Sequence, residues 1–239
     1  MLGRVAFVCA MPMELAPIRR NLSLRRTRVG SLETYAGSLG NRPVVAIVTG
    51  MGTTLATEGL ERLVQTVEIE RVVVVGVTGA INDETPIGTL ILPEMVVNGV
   101  TGTEYRPERL GEGEPSGKMW TTDTLITDLD VIAGLRSNGV VSLDMETAAI
   151  AEVCERRNVP WSVFRVISDR ATDGSINEEV FHLSNPDGTP NATAVAAYLL
   201  KHPGRVPALV SMAKGAKLAT ELAAGAAVNA VSRLSPPGP

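Results

Sequence analysis

A three-layer α/β fold, with a central mixed and largely parallel sheet between helices, is what the sequence predicts, and three observations predict it. Runs rich in Val and Ile alternate with helical patterns over most of the chain. Those runs are near-continuously apolar, as strands buried on both faces are. At 239 residues the length suits one large α/β domain.

The elements follow in order. Segment 5–10 reads as the first buried strand, and Pro12 opens a helix over 15–20, since proline suits a first helical turn. Residues 25–38 form a short strand pair around Gly30 and Ser31, which makes the sheet mixed. Strand 44–49 runs through a glycine turn, 49–56, into helix 54–65. Strand 72–75 leads to a second glycine segment, 76–81, and strand 90–97 follows. Residues 99–118, with five Gly and two Pro, read as a flexible connection. Helices at 126–136 and 145–157 bracket the approach to the last strand, 161–167. Beyond the break at 184–191, helices at 192–200 and 207–234 split at His202, Pro203 and Gly204. The expectation is one domain, 1–239, with a helical C-terminal extension at 190–239.

Composition narrows the function classes. The chain is 44% hydrophobic and 20% charged, with a formal net charge of −4, which offers no footprint for nucleic acid or an anionic membrane. No stretch approaches the roughly 20 apolar residues of a membrane span, and the start lacks the pattern of a signal peptide. A cytoplasmic location is expected. Cys9 and Cys154 lie in apolar patterns without metal-ligand spacing and read as buried, inert thiols; His182 and His202 have no ligand spacing either. No metal and no organic cofactor is expected.

The stretch 140–171 carries most of the chemistry. Asp144 and Glu146 are placed in the first turn of the 145–157 helix, and Asp169 just past the last strand. Glycine turns after strands let a ligand lie against the main chain at the carboxyl ends of a sheet. The turn at 49–56 has Leu55 where a dinucleotide fingerprint needs its third glycine, so a nicotinamide site is not expected. Glu14, at the start of the first helix, is read on the helix dipole alone as a surface charge, and any one of these acids alone fits a cap.

Four segments together resemble the nucleoside phosphorylase and nucleosidase superfamily, most of all the bacterial 5′-methylthioadenosine/S-adenosylhomocysteine nucleosidases. They are AFVCAMPMELAPI, VTGMGTTLA, VVVVGVTGAINDETPIGTLILPE and LDMETAAIAEVCERRNVPWSVFRVISDRA. The last matches that family's Glu-Met-Glu helix start and Arg-x-Ile-Ser-Asp strand end. The resemblance covers roughly residues 4–180, falls short at 99–120, and is loose beyond 185.

What the resemblance implies is chemically coherent. Asp169 would be the general acid that protonates the purine at N7, oriented by Ser168, and Glu14 would activate the attacking water. Glu146 would accept hydrogen bonds from the ribose hydroxyls. Met145 and Met11 would pack on the sugar, Arg165 would lie near the acids, and Gly79 and Val77 would line the site from the second glycine segment. Leu125 and Ile126 would face the base, with Leu125 standing where the family carries a stacking aromatic. Phe181, Tyr105 and Trp120 are the aromatic candidates for a wall around the 5′ group. Phosphorolytic members clamp phosphate with arginines and a hydroxyl; the corresponding positions here look like Val74 and Val77, which favours water. Arg19, Arg20, Arg25 and Arg26 leave a differently built phosphate site open.

The implied partner is a small purine nucleoside, with 5′-modified adenosines as the leading class, acted on by a homo-oligomer, a dimer or higher. The alternatives are a phosphorylase, a hydrolase of a specialised nucleoside such as futalosine, and a relic that binds a nucleoside without cleaving it.

Overall fold

The computed structural model describes residues 3–172 and 178–234. β1 (Arg4–Cys9) leads to α1 (Pro12–Asn21), then β2 (Arg25–Val29), β3 (Leu32–Leu39) and β4 (Arg42–Val48). α2 (Thr53–Thr66) and the long β5 (Ile69–Ala80) follow, then β6 (Leu90–Ile91), β7 (Met95–Asn98), β8 (Glu104–Tyr105) and β9 (Lys118–Thr121). α3 (Leu129–Ser137), β10 (Val140–Asp144), α4 (Thr147–Arg157) and β11 (Trp161–Arg170) complete the half that carries the acids. α5 (Glu178–Phe181), α6 (Ala192–Lys201), a 3₁₀ turn at Pro203–Arg205 and α7 (Val206–Ser232) end the described chain.

The sheet is mixed and mostly parallel, as expected. β1 lies between β4 and β5, parallel to both. β5 is the hub: it pairs in parallel with β11 along most of its length, and its end, at Gly79 and Ala80, turns antiparallel to β10. β10, β9 and β7 continue in parallel, and the β2–β3 hairpin extends the other edge antiparallel to β4.

Side-chain alternation divides the core into two faces. Ala6 and Val8 of β1 point with Val72 and Val74 toward α2 and α4, where Leu60, Leu63, Ala148 and Ala151 meet them. Val5 and Phe7 point the other way with Val73 and Val75, toward Leu15 and Ile18 of α1 and an alanine stripe on α7. That stripe, Ala219, Ala223, Ala224, Ala227 and Ala230, is buried, so small side chains let α7 lie close to the sheet. No helix among the described residues is long and apolar enough to cross a membrane.

Several expectations need correction. The run at 90–97 is two strands, because Pro93 lacks an N–H for the ladder; β6 pairs with β11 and β7 with β9. The segment 76–81 is no turn after a strand, since β5 runs through to Ala80. Likewise Asp169 lies within β11, which extends to Arg170. Helix 126–136 starts later, at Leu129, where the Asp128 carboxylate accepts from the N–H groups of Asp130 and Val131. Asp144 and Glu146 are not in a helical turn: Asp144 ends β10 and Glu146 is the N-cap of α4. Within 99–118 the chain forms β8 and enters β9, rather than staying wholly irregular.

Candidate active site

The carboxyl ends of β1, β5, β10 and β11 converge, and the acids sit there. Arg165 of β11 is the centre. It is 2% exposed, and its guanidinium pairs with three carboxylates: Asp144 at 2.8 Å, Glu146 at 3.1 Å and Glu14 at 3.5 Å. A buried cation of this kind persists only where partners replace its hydration. Those three negative charges hold Arg165 protonated, against the opposing pull of burial.

Glu14 is fully buried, which overturns its reading as a surface charge. Its carboxylate accepts from the backbone N–H groups of Ala10 at 2.8 Å, Met11 at 2.9 Å and Val77 at 2.8 Å. Those amides come from the β1–α1 turn and from β5, so two elements aim the acid. Gly76 makes room: a Cβ there would fall on the Glu14 carboxylate and lie 2.6 Å from Arg165 Nη1. Burial pushes the Glu14 carboxyl up from the usual range, while Arg165 and the three amides pull it back down.

Glu146 accepts from the Gly52 N–H at 3.0 Å with one oxygen and from Arg165 with the other. Gly52 has φ of 94° and caps α2, a conformation that favours glycine, so the turn 49–56 presents a backbone amide to the acid. Burial raises the Glu146 carboxyl to about 7; the neighbouring Asp144 charge adds to the rise and Arg165 opposes it. Asp144 is structural in its contacts: it accepts from Thr121 Oγ1 at 2.5 Å, from the Thr147 N–H at 2.9 Å, and from the Thr147 hydroxyl. It therefore caps α4 and anchors Arg165 together.

Asp169 lies across the cleft, half-buried, with Ser168 Oγ donating to its Oδ1 at 2.5 Å. A Cβ at Gly79 would come within 3.1 Å of Asp169 Oδ2, so the glycine keeps that acid accessible from the sheet side. Two of the spaces that Asp169 borders differ in character. One is a small pocket of about 160 Å³ lined by Gly79, Leu125, Ile126 and Met145. The other is a cavity of about 940 Å³ lined by Met11, Val77, Ser168 and Val48 together with Tyr35 and Met212. The late start of α3 leaves Ile126 free to line the first of these.

Of the residues singled out from sequence, the structure brings Asp169, Ser168, Glu14, Glu146, Arg165, Met11, Met145, Gly79, Val77, Leu125 and Ile126 into this one region. The side chain of Phe181 falls outside the described residues. Trp120 and Tyr105 are not part of the wall: Trp120 packs with Ile81 and Ile132, and Tyr105 joins the core on the α4 side. Tyr35, from the strand pair, is the aromatic that lines the large cavity, with the Arg19 guanidinium 5.6 Å from its ring centre. Nothing in the local pattern of β3 marks Tyr35; only its register opposite Ala46 of β4 brings it there. Val74 is core, and Val77 alone of that pair faces the cavity. Arg20 pairs with Glu221 and Arg26 with Glu33, so neither stands as a free anion clamp.

A family model, described as the phosphorylase superfamily, matches residues 4–118 and 108–202. The chain belongs to the phosphorylase superfamily. Its relatives include the 5′-methylthioadenosine/S-adenosylhomocysteine nucleosidase of Glaesserella parasuis, 26% identical over 195 residues, covering 70% of this chain and 82% of the relative. The nucleosidase of the same name from Tolumonas auensis is 25% identical over 230 residues, covering 83% and 99%. Among solved structures, a Helicobacter pylori mutant nucleosidase with 5′-methylthioadenosine in its active site superposes with a TM-score of 0.75 at 16% identity, covering 98% of this chain and all of the other. Futalosine hydrolase of Helicobacter pylori matches equally well, at TM-score 0.75 and 16% identity over 98% of this chain and 99% of that one. At such identities these superpositions establish the shared fold of this superfamily.

Proposed function

We propose that this protein hydrolyses the N-ribosidic bond of a purine nucleoside, with 5′-modified adenosines as the substrate class. In this reading the base enters the small pocket beside Leu125 and Ile126, and the ribose lies over Met145 with its hydroxyls toward Glu146. Asp169 gives a proton to N7 of the purine as the C1′–N9 bond breaks. Glu14 takes a proton from the water whose oxygen bonds to C1′, so charge is balanced across an oxocarbenium-like state.

The observation that carries the hydrolytic reading is the charge balance around Arg165. This cation lies beside Glu14, and three carboxylates already share it. A phosphate dianion placed beside Glu14 would meet net negative charge, whereas water would meet a positioned acceptor. Val77 turns an apolar side chain to the cavity where an anion clamp would need a donor. The curated relatives, nucleosidases by name, support the same reading.

The test offers methylthioadenosine, S-adenosylhomocysteine, adenosine and inosine with and without phosphate, and identifies base and sugar. Free ribose or its 5′-modified form, released without phosphate, is the expected outcome. Ribose-1-phosphate formed only with phosphate would replace this reading with a phosphorylase, and binding without turnover would replace it with a relic. An oligomer, a dimer or higher, belongs to the same proposal, and light scattering checks it.

A further inference from the structure

The space beside Asp169 does not end at the apolar cavity. A second cavity of about 570 Å³ adjoins it, sharing Ser168, Asp169 and Met212 with the first. Its lining is more polar. Arg170, Arg205 and Lys214 line it together with Ser211, and among the described residues Asp169 is the one carboxylate on its wall.

None of these three cations forms an ion pair among the described residues. Arg170 donates from Nε to the Thr85 carbonyl at 3.2 Å, and Arg205 donates from Nε to the Tyr198 hydroxyl at 3.3 Å. By contrast Arg20, Arg42, Arg71, Arg156 and Arg233 each meet a glutamate. Among the described residues, three cations without an ion pair around one hollow outnumber its carboxylate and leave a local excess of positive charge next to the proposed reaction centre.

Their placement follows from the packing of α7. Gly215 sits so close to the end of β11 that a Cβ there would lie 3.2 Å from the Ser168 carbonyl oxygen. That approach sets Ser211 and Lys214 beside Ser168 and Asp169, and the preceding 3₁₀ turn adds Arg205.

We propose that this basic cavity receives an anionic end of the nucleoside's 5′ substituent. The preferred substrate then carries a 5′ chain that is apolar next to the sugar, where Met11, Tyr35, Val48 and Met212 line the wall, and ends in a carboxylate or comparable anion. This rests on the N-ribosidic hydrolase reading above. A zwitterionic amino-acid tail is the poorer fit, because its ammonium would bring positive charge into an already cationic hollow. The guanidinium groups of Arg170 and Arg205 keep donors beyond those already used, enough to meet a carboxylate.

The experiment compares 5′-(4-carboxybutylthio)-5′-deoxyadenosine with its methyl ester. The kcat/KM of each is measured, and calorimetry on their 7-deaza counterparts, which lack N7, reads binding without turnover. The acid is expected to exceed the ester about tenfold or more in both readouts. In the Lys214→Gln, Arg205→Gln double variant that ratio falls toward one, as it does when salt is raised from about 0.05 to 0.5 M. A ratio near one in the wild-type protein, or one that the double variant leaves unchanged, overturns the proposal. If the 7-deaza acid binds preferentially but neither nucleoside releases base, the hydrolase reading fails while the anion subsite stands. Cleavage of both without preference removes the subsite alone.

Discussion

In the proposed reaction Asp169 and Glu146 make opposite demands on pH. Asp169 must carry a proton to give, and its replacement in Asp169→Asn is expected to slow base release by about 10²–10⁴-fold, the usual worth of a general acid. Circular dichroism and the melting temperature should stay at wild-type values, because the amide keeps the shape; a variant with most of its activity would remove Asp169 from the acid's role. Glu146 must instead be ionised to accept from ribose hydroxyls. Burial holds its carboxyl at about 7, so protons compete for it within the working range. As pH falls through 7 the acceptor is lost, and kcat/KM is expected to drop on the acid side. In Glu146→Gln that limb should vanish at a much lower level of activity, and an unchanged acid limb in this variant would assign it elsewhere. Gly76 is a third residue with a sharp expectation. A methyl group there would land on the Glu14 carboxylate, so Gly76→Ala should cost both activity and melting temperature, measured side by side.

The elements are legible in the sequence to different depths, and the reasons are physical. β1, β4 and β11 announce themselves because strands covered on both faces must be apolar throughout. The end of β5 does not, because Gly76 and Gly79 weaken a strand and read as a turn; their purpose is the close approach of Glu14, Arg165 and Asp169, which no local pattern encodes. Glu14 reads as a surface charge for the same reason, since the helix dipole accounts for an acid at that position without any partner. Arg165 is visible only through a resemblance, as its three partners come from α1, the end of β10 and the cap of α4. α7 is the element whose sequence least suggests a part in the site. Two of its glycines separate packing from propensity. A methyl group at Gly225 would have nothing within 4 Å of it, so Gly225→Ala should stabilise by about 0.5–1 kcal/mol through helix propensity alone. Gly215→Val should instead push α7 off the Ser168 carbonyl, lowering the melting temperature and activity together. Equal effects of the two changes in thermal melting would show that the contact at Gly215 carries no weight.

At the scale of the whole molecule, α7 packs on the sheet that carries the acids. Seven buried residues of α7, among them Ala223, Ala227 and Val231, close one face of the sheet over Val5, Phe7, Val73 and Val75. α1, which carries Glu14, packs against the same helix, and Arg20 of α1 pairs with Glu221 of α7. Removing α7 would expose that half of the core to water, at roughly 25 cal/mol for every Å² uncovered, in a fold whose whole margin is on the order of 5–15 kcal/mol. A chain cut after Arg205 is therefore expected to lose the fold itself, rather than to survive as a trimmed enzyme. Urea unfolding of the full chain should give one transition, coincident by tryptophan fluorescence and far-ultraviolet circular dichroism, since Trp120 and Trp161 lie in the sheet and α7 contributes much of the helical signal. Two separated transitions, or a soluble and cooperatively folded truncation, would show instead that the helical extension and the α/β body are independent units.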